Sequence, residues 1–175
     1  MKAIGYYESL PIDDDNALVD LEMDKPEPSG RDLLVRVKAV SVNPVDFKVR
    51  MRKAAENDVP VILGWDAVGE VIALGNDVTL FQPGDEVWYA GAVNRQGTNS
   101  EYHLVDERIV GAKPKSVSDA QAAALPLTTL TAYEMLFDRL RVNDPVPGAA
   151  PAVLIIGGAG GVGSIAIQLL RAMTD

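Results

Sequence analysis

The sequence predicts a barrel or sandwich of short strands over residues 1–115, followed by the first β-α unit of a parallel α/β domain. Two observations carry this prediction. Short apolar or alternating runs recur through the first two thirds of the chain, and prolines, glycines and acids separate them. Further on, the continuously apolar residues 152–156 are followed at once by glycines and then by apolar residues at helical spacing.

The composition disfavours several classes of protein. With 47% hydrophobic residues the 175-residue chain can build a core, yet no apolar segment reaches the length of a membrane span. The net charge of −9 disfavours nucleic acids and anionic membranes as partners, because both attract Lys and Arg. The absence of cysteine excludes disulfides and thiolate zinc sites and fits a reducing compartment, so we expect a cytoplasmic protein.

The strands of the first part follow from local patterns. Residues 33–40 alternate between apolar and polar as a half-buried strand does. Asn43-Pro44 ends this strand, because the residue before a proline is pushed out of the helical region. Two strands are expected on either side of the turn at residues 75–77. The remaining short strands are expected over residues 2–7, 18–23, 86–89, 100–105 and 108–112.

Two short helices are predicted from their caps. Asp46 is a natural N-cap for a helix over residues 47–53, and this role is favoured over that of a catalytic acid. Ser118, with Gln121 three residues later, predicts a capping box for a short helix that ends at Ala124.

A longer helix is predicted over residues 128–140. Its apolar residues recur at helical spacing, so Tyr133 is expected in the core rather than in a site. A loop rich in proline and glycine, residues 143–151, then leads to the apolar residues 152–156.

A Gly-x-Gly-x-x-Gly sequence follows the apolar residues directly. In a dinucleotide site Gly158 makes the tight turn, Gly160 lets the backbone approach a pyrophosphate, and Gly163 lets helix and strand pack closely. The N-terminus of the following helix would then hold the phosphates with its free N–H groups and its dipole. The alternative is a plain glycine-rich turn, but the flanking strand and helix favour dinucleotide binding. A P-loop is a poor fit, because Ser164 stands where that loop needs its lysine.

The glycine motif comes near the end of the sequence. A dinucleotide site needs at least the next strand, whose end residue reads the ribose about 20 residues past the last glycine. The sequence ends at Asp175, so we expect either a fragment or a sheet completed by other chains. We also expect residues 152–156 to drive self-association, because an unpaired apolar strand edge seeks a partner.

Three stretches together resemble the medium-chain dehydrogenase/reductase superfamily, and most of all its zinc-free quinone oxidoreductase branch, often labelled zinc-type alcohol dehydrogenase-like. They are Val-Asn-Pro-Val-Asp-Phe-Lys at 42–48, Gly-Trp-Asp-Ala-Val-Gly-Glu-Val at 64–71 continuing to Pro-Gly-Asp-Glu-Val at 83–87, and residues 122–133 leading to the glycines.

The resemblance implies a two-domain organisation. Residues 1–125 would form a GroES-like β-barrel, mainly β with short helices, and residues 126–175 the truncated start of a Rossmann dinucleotide-binding domain. Members of the family place the active site in the cleft between these domains.

The zinc ligands of the metal-using members are not matched in this sequence. Those members hold zinc through a cysteine, a histidine and a third ligand, and the resemblance puts Asn43, Trp65 and Leu127 at these positions. Tryptophan and leucine cannot ligate Zn²⁺, and a catalytic site needs three protein ligands. His103, the single histidine, is expected to be a hydrogen-bonded surface residue. We therefore expect no metal.

Without a Lewis acid, the chemistry left to the fold is hydride transfer from a nicotinamide to an acceptor that spreads its own charge. The resemblance thus implies an oxidoreductase that uses NADPH, or NADH, to reduce quinones or α,β-unsaturated carbonyls. The protein would be a homo-oligomer with a small-molecule substrate, and the 175-residue chain by itself an inactive fragment. The alternatives are a non-catalytic dinucleotide-binding or sensor protein and a zinc-type alcohol dehydrogenase.

The resemblance also assigns roles to single residues. Asn43 and Thr131 would lie near the nicotinamide, against the alternatives of an Asn-Pro turn and a backbone hydrogen bond. Lys48 is the candidate proton donor or nicotinamide-ribose contact, against a solvated helix face. Trp65 and Asp66 would line the cleft, although core and turn roles are favoured for them. The pyrophosphate would be held by Gly158, Gly160, Gly161, Val162 and Gly163.

Overall fold

The computed structural model describes residues 1–144, 146–148, 150 and 152–174. The chain divides into two compact units, Met1–Pro126 and Leu127–Asp175. Within the described part of the chain, no helix combines the length and the apolar character that crossing a bilayer requires.

Eight strands build the first unit in two antiparallel sheets. The smaller sheet has the order β2-β1-β4 and the larger sheet the order β7-β3-β5-β6-β8. This arrangement confirms the prediction of a mainly β part with short helices. The strands are β1 (Lys2–Tyr6), β2 (Val19–Glu22), β3 (Asp32–Ser41), β4 (Val61–Ile62), β5 (Asp66–Leu74), β6 (Glu86–Ala90), β7 (Tyr102–Asp106) and β8 (Val110–Ala112).

The main core lies on one face of the larger sheet. Strand β3 is an inner strand of this sheet, paired with β5 on one side and β7 on the other. Because side chains alternate along a strand, Leu33 and Val35 of β3 enter this core from the same face. The buried cluster consists of Leu33, Val35, Ala67, Val71, Val87, Tyr89 and Val105.

The strand expected after the turn at residues 75–77 is not formed, so this prediction was wrong. The main-chain N–H groups of Thr79 and Leu80 instead donate to the carboxylate of Glu107, at 2.9 and 2.7 Å. Arg31 donates to the same carboxylate at 2.7 Å. A buried side chain thus satisfies donors that a strand ladder would otherwise have used.

Two helices of the first unit confirm one predicted cap and correct the other. Helix α1 (Pro44–Arg50) begins earlier than expected, with Asn43 as its N-cap. Asp46 occupies the third helical position, so its prediction as N-cap was wrong; Pro44 suits the first helical position because it lacks an N–H. Helix α2 (Asp119–Ala123) has the predicted capping box.

The regular elements formed by the described residues of the second unit are helices. Helix α3 (Pro126–Tyr133) passes into the π-helical segment Glu134–Arg139, and helix α4 (Gly161–Met173) follows the glycine turn. The prediction of Tyr133 as a core residue was wrong, because 41% of this residue is exposed. Leu136, in the π-helical segment, is fully buried.

The predicted strand over residues 152–156 is not formed either. A parallel strand needs neighbouring strands to satisfy its backbone, and the described residues of the second unit contain no strand. Leu154 and Ile156 are consequently 87% and 92% exposed, in conflict with the expected burial on both faces.

Candidate functional site

The glycine turn leads into helix α4 through a backbone conformation that only glycine adopts easily. Gly157 has φ = +74°, in the left-handed region, and its carbonyl accepts the N–H of Gly160 at 3.0 Å. The tight turn is therefore made at Gly157 and not at Gly158, the residue expected from the motif. Gly160 is the N-cap of α4, and its carbonyl accepts the N–H of Ser164 at 2.9 Å.

Close packing of the helix on the turn accounts for Gly163. A Cβ atom at Gly163 would lie 2.4 Å from the carbonyl oxygen of Gly157 and 2.8 Å from Cα of Gly158. These contacts are with main-chain atoms, which a side chain cannot displace without moving the turn. A Cβ atom at Gly158 would lie 3.3 Å from Cδ1 of Ile167, so this glycine is also closely packed.

The N-terminus of α4 has the chemistry of an anion site. In any α-helix the first N–H groups have no acceptor within the helix, here those of Gly161, Val162 and Gly163. The 13 residues of α4 align their peptide dipoles toward this end, which favours negative charge. A cavity of about 440 Å³ lies beside the turn. These residues fit a pyrophosphate group.

Asn43 is buried at the N-terminus of α1 and engaged by two carboxylates. Its main-chain N–H donates to Oδ2 of Asp46 at 2.7 Å, which is one half of a capping box. Its Nδ2 donates to Oδ2 of Asp66 at 2.9 Å. The residue is thus more than the Asn-Pro turn considered from the sequence, because its side chain binds a buried acid from another element.

Lys48 and Thr131, two further residues that were expected in the site, are both exposed. Lys48 lies on helix α1, and no salt bridge to it is present in the described part of the chain. The Thr131 hydroxyl donates to the carbonyl of Leu127 at 2.8 Å, which is the backbone hydrogen bond that was the alternative to a cofactor contact.

The residues that stand at the positions of zinc ligands do not form a donor set for zinc. Trp65 is buried among Tyr6, Val61 and Leu63, and its indole nitrogen has no hydrogen-bond partner. Leu127 has no ligating atom. Among the residues that the structure describes, no group of three or more His, Cys, Asp or Glu side chains could hold a metal ion.

His103 is a buried residue and not the surface residue expected from the sequence. Its Nε2 lies 3.0 Å from the carbonyl oxygen of Gln96, and its Nδ1 lies 3.0 Å from the hydroxyl of Tyr89. Because the carbonyl can only accept, Nε2 carries the proton and Nδ1 accepts from Tyr89. Burial lowers the pKa of His103 to about 4, so the ring is neutral near pH 7. The expected hydrogen bonding of this residue is confirmed.

Sequence reasoning did not predict the burial of Asp66 or its bond to Asn43. Asp66 opens β5, and its side chain is fully buried. A turn role was favoured for it from the sequence. The signal that could have identified it is an acid at the start of an otherwise apolar run, because a buried carboxylate requires donors from elsewhere in the fold.

Comparison with known proteins identifies the family. Residues 29–115 match the model of the alcohol dehydrogenase GroES-like domain. A zinc-type alcohol dehydrogenase-like protein of Staphylococcus aureus (strain Mu50) is 48% identical over 98% of this chain and 51% of its own length. The 2-methylene-furan-3-one reductase of Solanum lycopersicum is 35% identical over 95% of this chain and 42% of its own length. The chain spans about half the length of the curated relatives it matches.

Solved structures agree with these sequence relatives. A protein from Rhizobium etli CFN 42, provisionally named a zinc-dependent alcohol dehydrogenase, superposes with a TM-score of 0.97 at 63% identity, over 100% of this chain and 51% of its own. The quinone oxidoreductase from Coxiella burnetii superposes with a TM-score of 0.78 at 35% identity, over 98% of this chain and 53% of its own. A mycobacterial protein complexed with NADPH superposes with a TM-score of 0.75 at 27% identity, over 98% of this chain and 50% of its own. This chain belongs to the medium-chain dehydrogenase/reductase superfamily.

Proposed function

We propose that this chain contributes the substrate domain and the first part of the cofactor domain to an NADPH-dependent oxidoreductase that reduces quinones or α,β-unsaturated carbonyls without zinc. The observation that carries the proposal is the glycine turn, in which Gly157 and Gly163 allow the N-terminus of α4 to stand open beside a cavity. That arrangement suits a pyrophosphate. The NADPH-bound mycobacterial relative supports a nicotinamide dinucleotide as the ligand.

The residues of the turn would bind the phosphates by their main chain. The N–H groups of Gly161, Val162 and Gly163 would donate to phosphate oxygens, and the missing side chains of Gly158 and Gly160 would leave room for them. Asn43, Thr131 and Lys48 would contact the nicotinamide end, as the resemblance to the family implies. The bound cofactor would supply the hydride, and the protein would orient it and exclude water.

The side chains at the positions of the zinc ligands support a zinc-free reaction. The side chains of Trp65 and Leu127 contain no atom that binds zinc, although some relatives carry zinc in their names. Without a Lewis acid, an acceptor must spread the incoming charge itself, as quinones and enones do. NADH remains an alternative cofactor.

The organisation of the chain in this proposal is a GroES-like domain over residues 1–125 and the start of a Rossmann domain over residues 126–175. By itself the chain would bind the cofactor weakly and would not turn over, because the sheet that completes a dinucleotide site is not present in its described residues. The lack of cysteine favours the cytoplasm as its compartment.

The test is a chimera in which residues 1–175 replace the matching half of the Staphylococcus aureus relative. We expect it to oxidise NADPH with a quinone and to keep its rate after treatment with a chelator. Loss of activity with the chelator and recovery with zinc would reject the zinc-free mechanism. Tight NADPH binding without oxidation by any quinone or enone would instead identify the non-catalytic sensor.

A further inference from the structure

Helix α1 buries one side and exposes the other. Val45 and Val49 pack against the buried cluster that contains Trp65. The N–H of Met51 donates to the carbonyl of Phe47 at 3.0 Å, so the helical spacing continues into residue 51. Residues four apart lie next to each other on a helix, which places Phe47 beside Met51 on the exposed side. These two apolar residues are 53% and 65% exposed.

Two basic side chains accompany this apolar pair. Lys48 and Arg52 are both exposed and also stand four residues apart. Residues 48–53 contain four basic residues and no acid, in a chain whose net charge is −9. Among the residues that the structure describes, no carboxylate forms a salt bridge with Lys48 or Arg52. Two like charges at this spacing repel each other, so a bound anion would stabilise the pair.

The alternative is that these cations cap the C-terminal end of α1. A cation near the last turn can bind the carbonyls that have no partner within the helix. Here the hydroxyl of Ser9 donates to the carbonyls of Arg50 and Lys53, at 2.6 and 3.0 Å. An interaction with the helix dipole would explain the cations but not the exposed apolar pair beside them. A ligand that is both apolar and anionic explains both features.

We propose that the exposed face of α1, formed by Phe47, Lys48, Met51 and Arg52, selects an acidic acceptor, a quinone or enone that carries an anionic substituent. The ring of Phe47 and the thioether of Met51 suit a flat conjugated system. The two cations suit the anionic substituent, and Arg52 can bind it with two parallel N–H groups. The inference rests on the proposed function, because it names the class of acceptor that is reduced.

The test compares anthraquinone-2-sulfonate with 2-(hydroxymethyl)anthraquinone, which has the same rings and no charge. Chemical-shift titration of the whole chain, without nucleotide, measures both ligands, and the Met51 methyl group reports contact with the α1 face. We expect the sulfonate to bind more tightly by about threefold to tenfold, as two exposed ion pairs allow. Added salt should reduce this difference, because it screens exposed charges.

Two double variants separate the α1 face from the overall charge. Lys48→Gln with Arg52→Gln should lower the preference for the sulfonate to about twofold or less, with binding of the uncharged ligand unchanged. Lys25→Gln with Lys115→Gln is the matched control, since it removes the same charge from exposed positions elsewhere in the first unit. This control should keep the wild-type preference. Phe47→Ala should weaken both ligands by a similar factor, because it removes apolar contact and no charge.

The outcomes separate this inference from the proposed function. Equal affinity of the wild type for the two ligands, or an equal loss of preference in both double variants, would overturn the acidic class of acceptor and leave the proposed function intact. Shifts confined to residues outside 42–53 would overturn it as well. Failure of the chimera to reduce any quinone or enone would instead reject the proposed function, even where the chain binds the sulfonate.

A second copy of the chain is the competing occupant of the α1 face. A stable protein interface needs about 800 Å² on each partner, which is more than four side chains of this seven-residue helix cover. Sedimentation velocity should therefore give the same degree of association for the wild type and for Lys48→Gln with Arg52→Gln. Weaker association of that variant, together with unchanged binding of the sulfonate, would assign the face to a second copy and overturn the inference.

Discussion

The hydroxyl of Tyr89 on β6 lies 3.0 Å from Nδ1 of His103 on β7, and the two rings stack with their centroids 5.5 Å apart. Burial raises the pKa of Tyr89 and lowers that of His103 to about 4, so both side chains are neutral over the physiological range. The main-chain carbonyl of Gln96 accepts from the other ring nitrogen. The Tyr89–His103 pair therefore attaches the segment that follows β6 to strand β7. This attachment requires His103 to stay uncharged.

This pair predicts a loss of stability in mild acid. Unfolded His103 binds a proton near pH 6.5, whereas the folded residue does so only near pH 4. The unfolded state thus binds more protons between these values, and the stability that is present above pH 6.5 falls as the pH drops toward 4. The upper limit of the loss is about 3 kcal/mol, from about 1.4 kcal/mol per pKa unit.

Urea denaturation at a series of pH values, compared with His103→Gln, isolates this contribution from that of the acids. The difference in unfolding free energy between the two proteins should shrink from pH 7 to pH 4, because the glutamine does not titrate. A difference that stays constant over this range would show that His103 is not the group responsible.

The close approach of α4 to the glycine turn predicts the effect of a single methyl group. In Gly163→Ala the new Cβ would lie 2.4 Å from the Gly157 carbonyl oxygen, so the helix must move away from the turn. We expect a loss of about 1–3 kcal/mol in the unfolding free energy. Ser164→Ala is the neighbouring control, since its exposed hydroxyl only donates to the Gly161 carbonyl at 3.1 Å. Equal melting temperatures for the two variants would contradict the packing role of Gly163.

The capping box of α2 predicts a smaller effect. The Gln121 N–H donates to the Ser118 hydroxyl at 3.3 Å, and Gln121 Oε1 accepts the Ser118 N–H at 3.0 Å. Ser118→Ala should cost about 1 kcal/mol in chemical denaturation. Ser116→Ala, two residues earlier and exposed, should change the unfolding free energy by less than about 0.5 kcal/mol. A similar loss in both serine variants would mean that the cap contributes nothing specific.

Local patterns predicted the elements that depend on local physics. The alternation around β3 and the capping box at Ser118 were visible in the sequence because each needs only neighbouring residues. Strand β4 was not predicted, since its two residues become a strand only by pairing with β1, more than fifty residues earlier in the chain. The prediction of a strand after residue 77 was wrong for the same reason, a contact between distant parts of the chain. The N–H groups of this segment donate to Glu107 and not to a neighbouring strand.

The candidate site was predictable in its motif and not in its contacts. The glycine spacing identified the turn and the helix behind it, but the left-handed residue is Gly157, one position before the motif. Asn43 was chosen by family resemblance, and its bond to Asp66 joins two elements that the sequence separates by 23 residues. A pattern of residue types does not contain such a pairing, which only the folded backbone defines.

The exposed apolar residues of the second unit predict self-association. Leu154 and Ile156 are 87% and 92% exposed in a backbone segment without a ladder partner among the described residues. Contact between copies would remove this apolar surface from water, which is favourable by about 25 cal/mol per Å². Sedimentation velocity should therefore detect dimers or larger species whose fraction rises with concentration.

A double variant, Leu154→Lys with Ile156→Lys, should return the chain to a monomer, because two like charges would face each other across any contact between copies. Ile12→Lys is the matched control, since Ile12 is 67% exposed and belongs to the first unit. It should associate like the wild type. A wild-type chain that stays monomeric at high concentration would contradict the prediction. Dissociation of the Ile12→Lys protein would show that the contact between copies is made by the first unit.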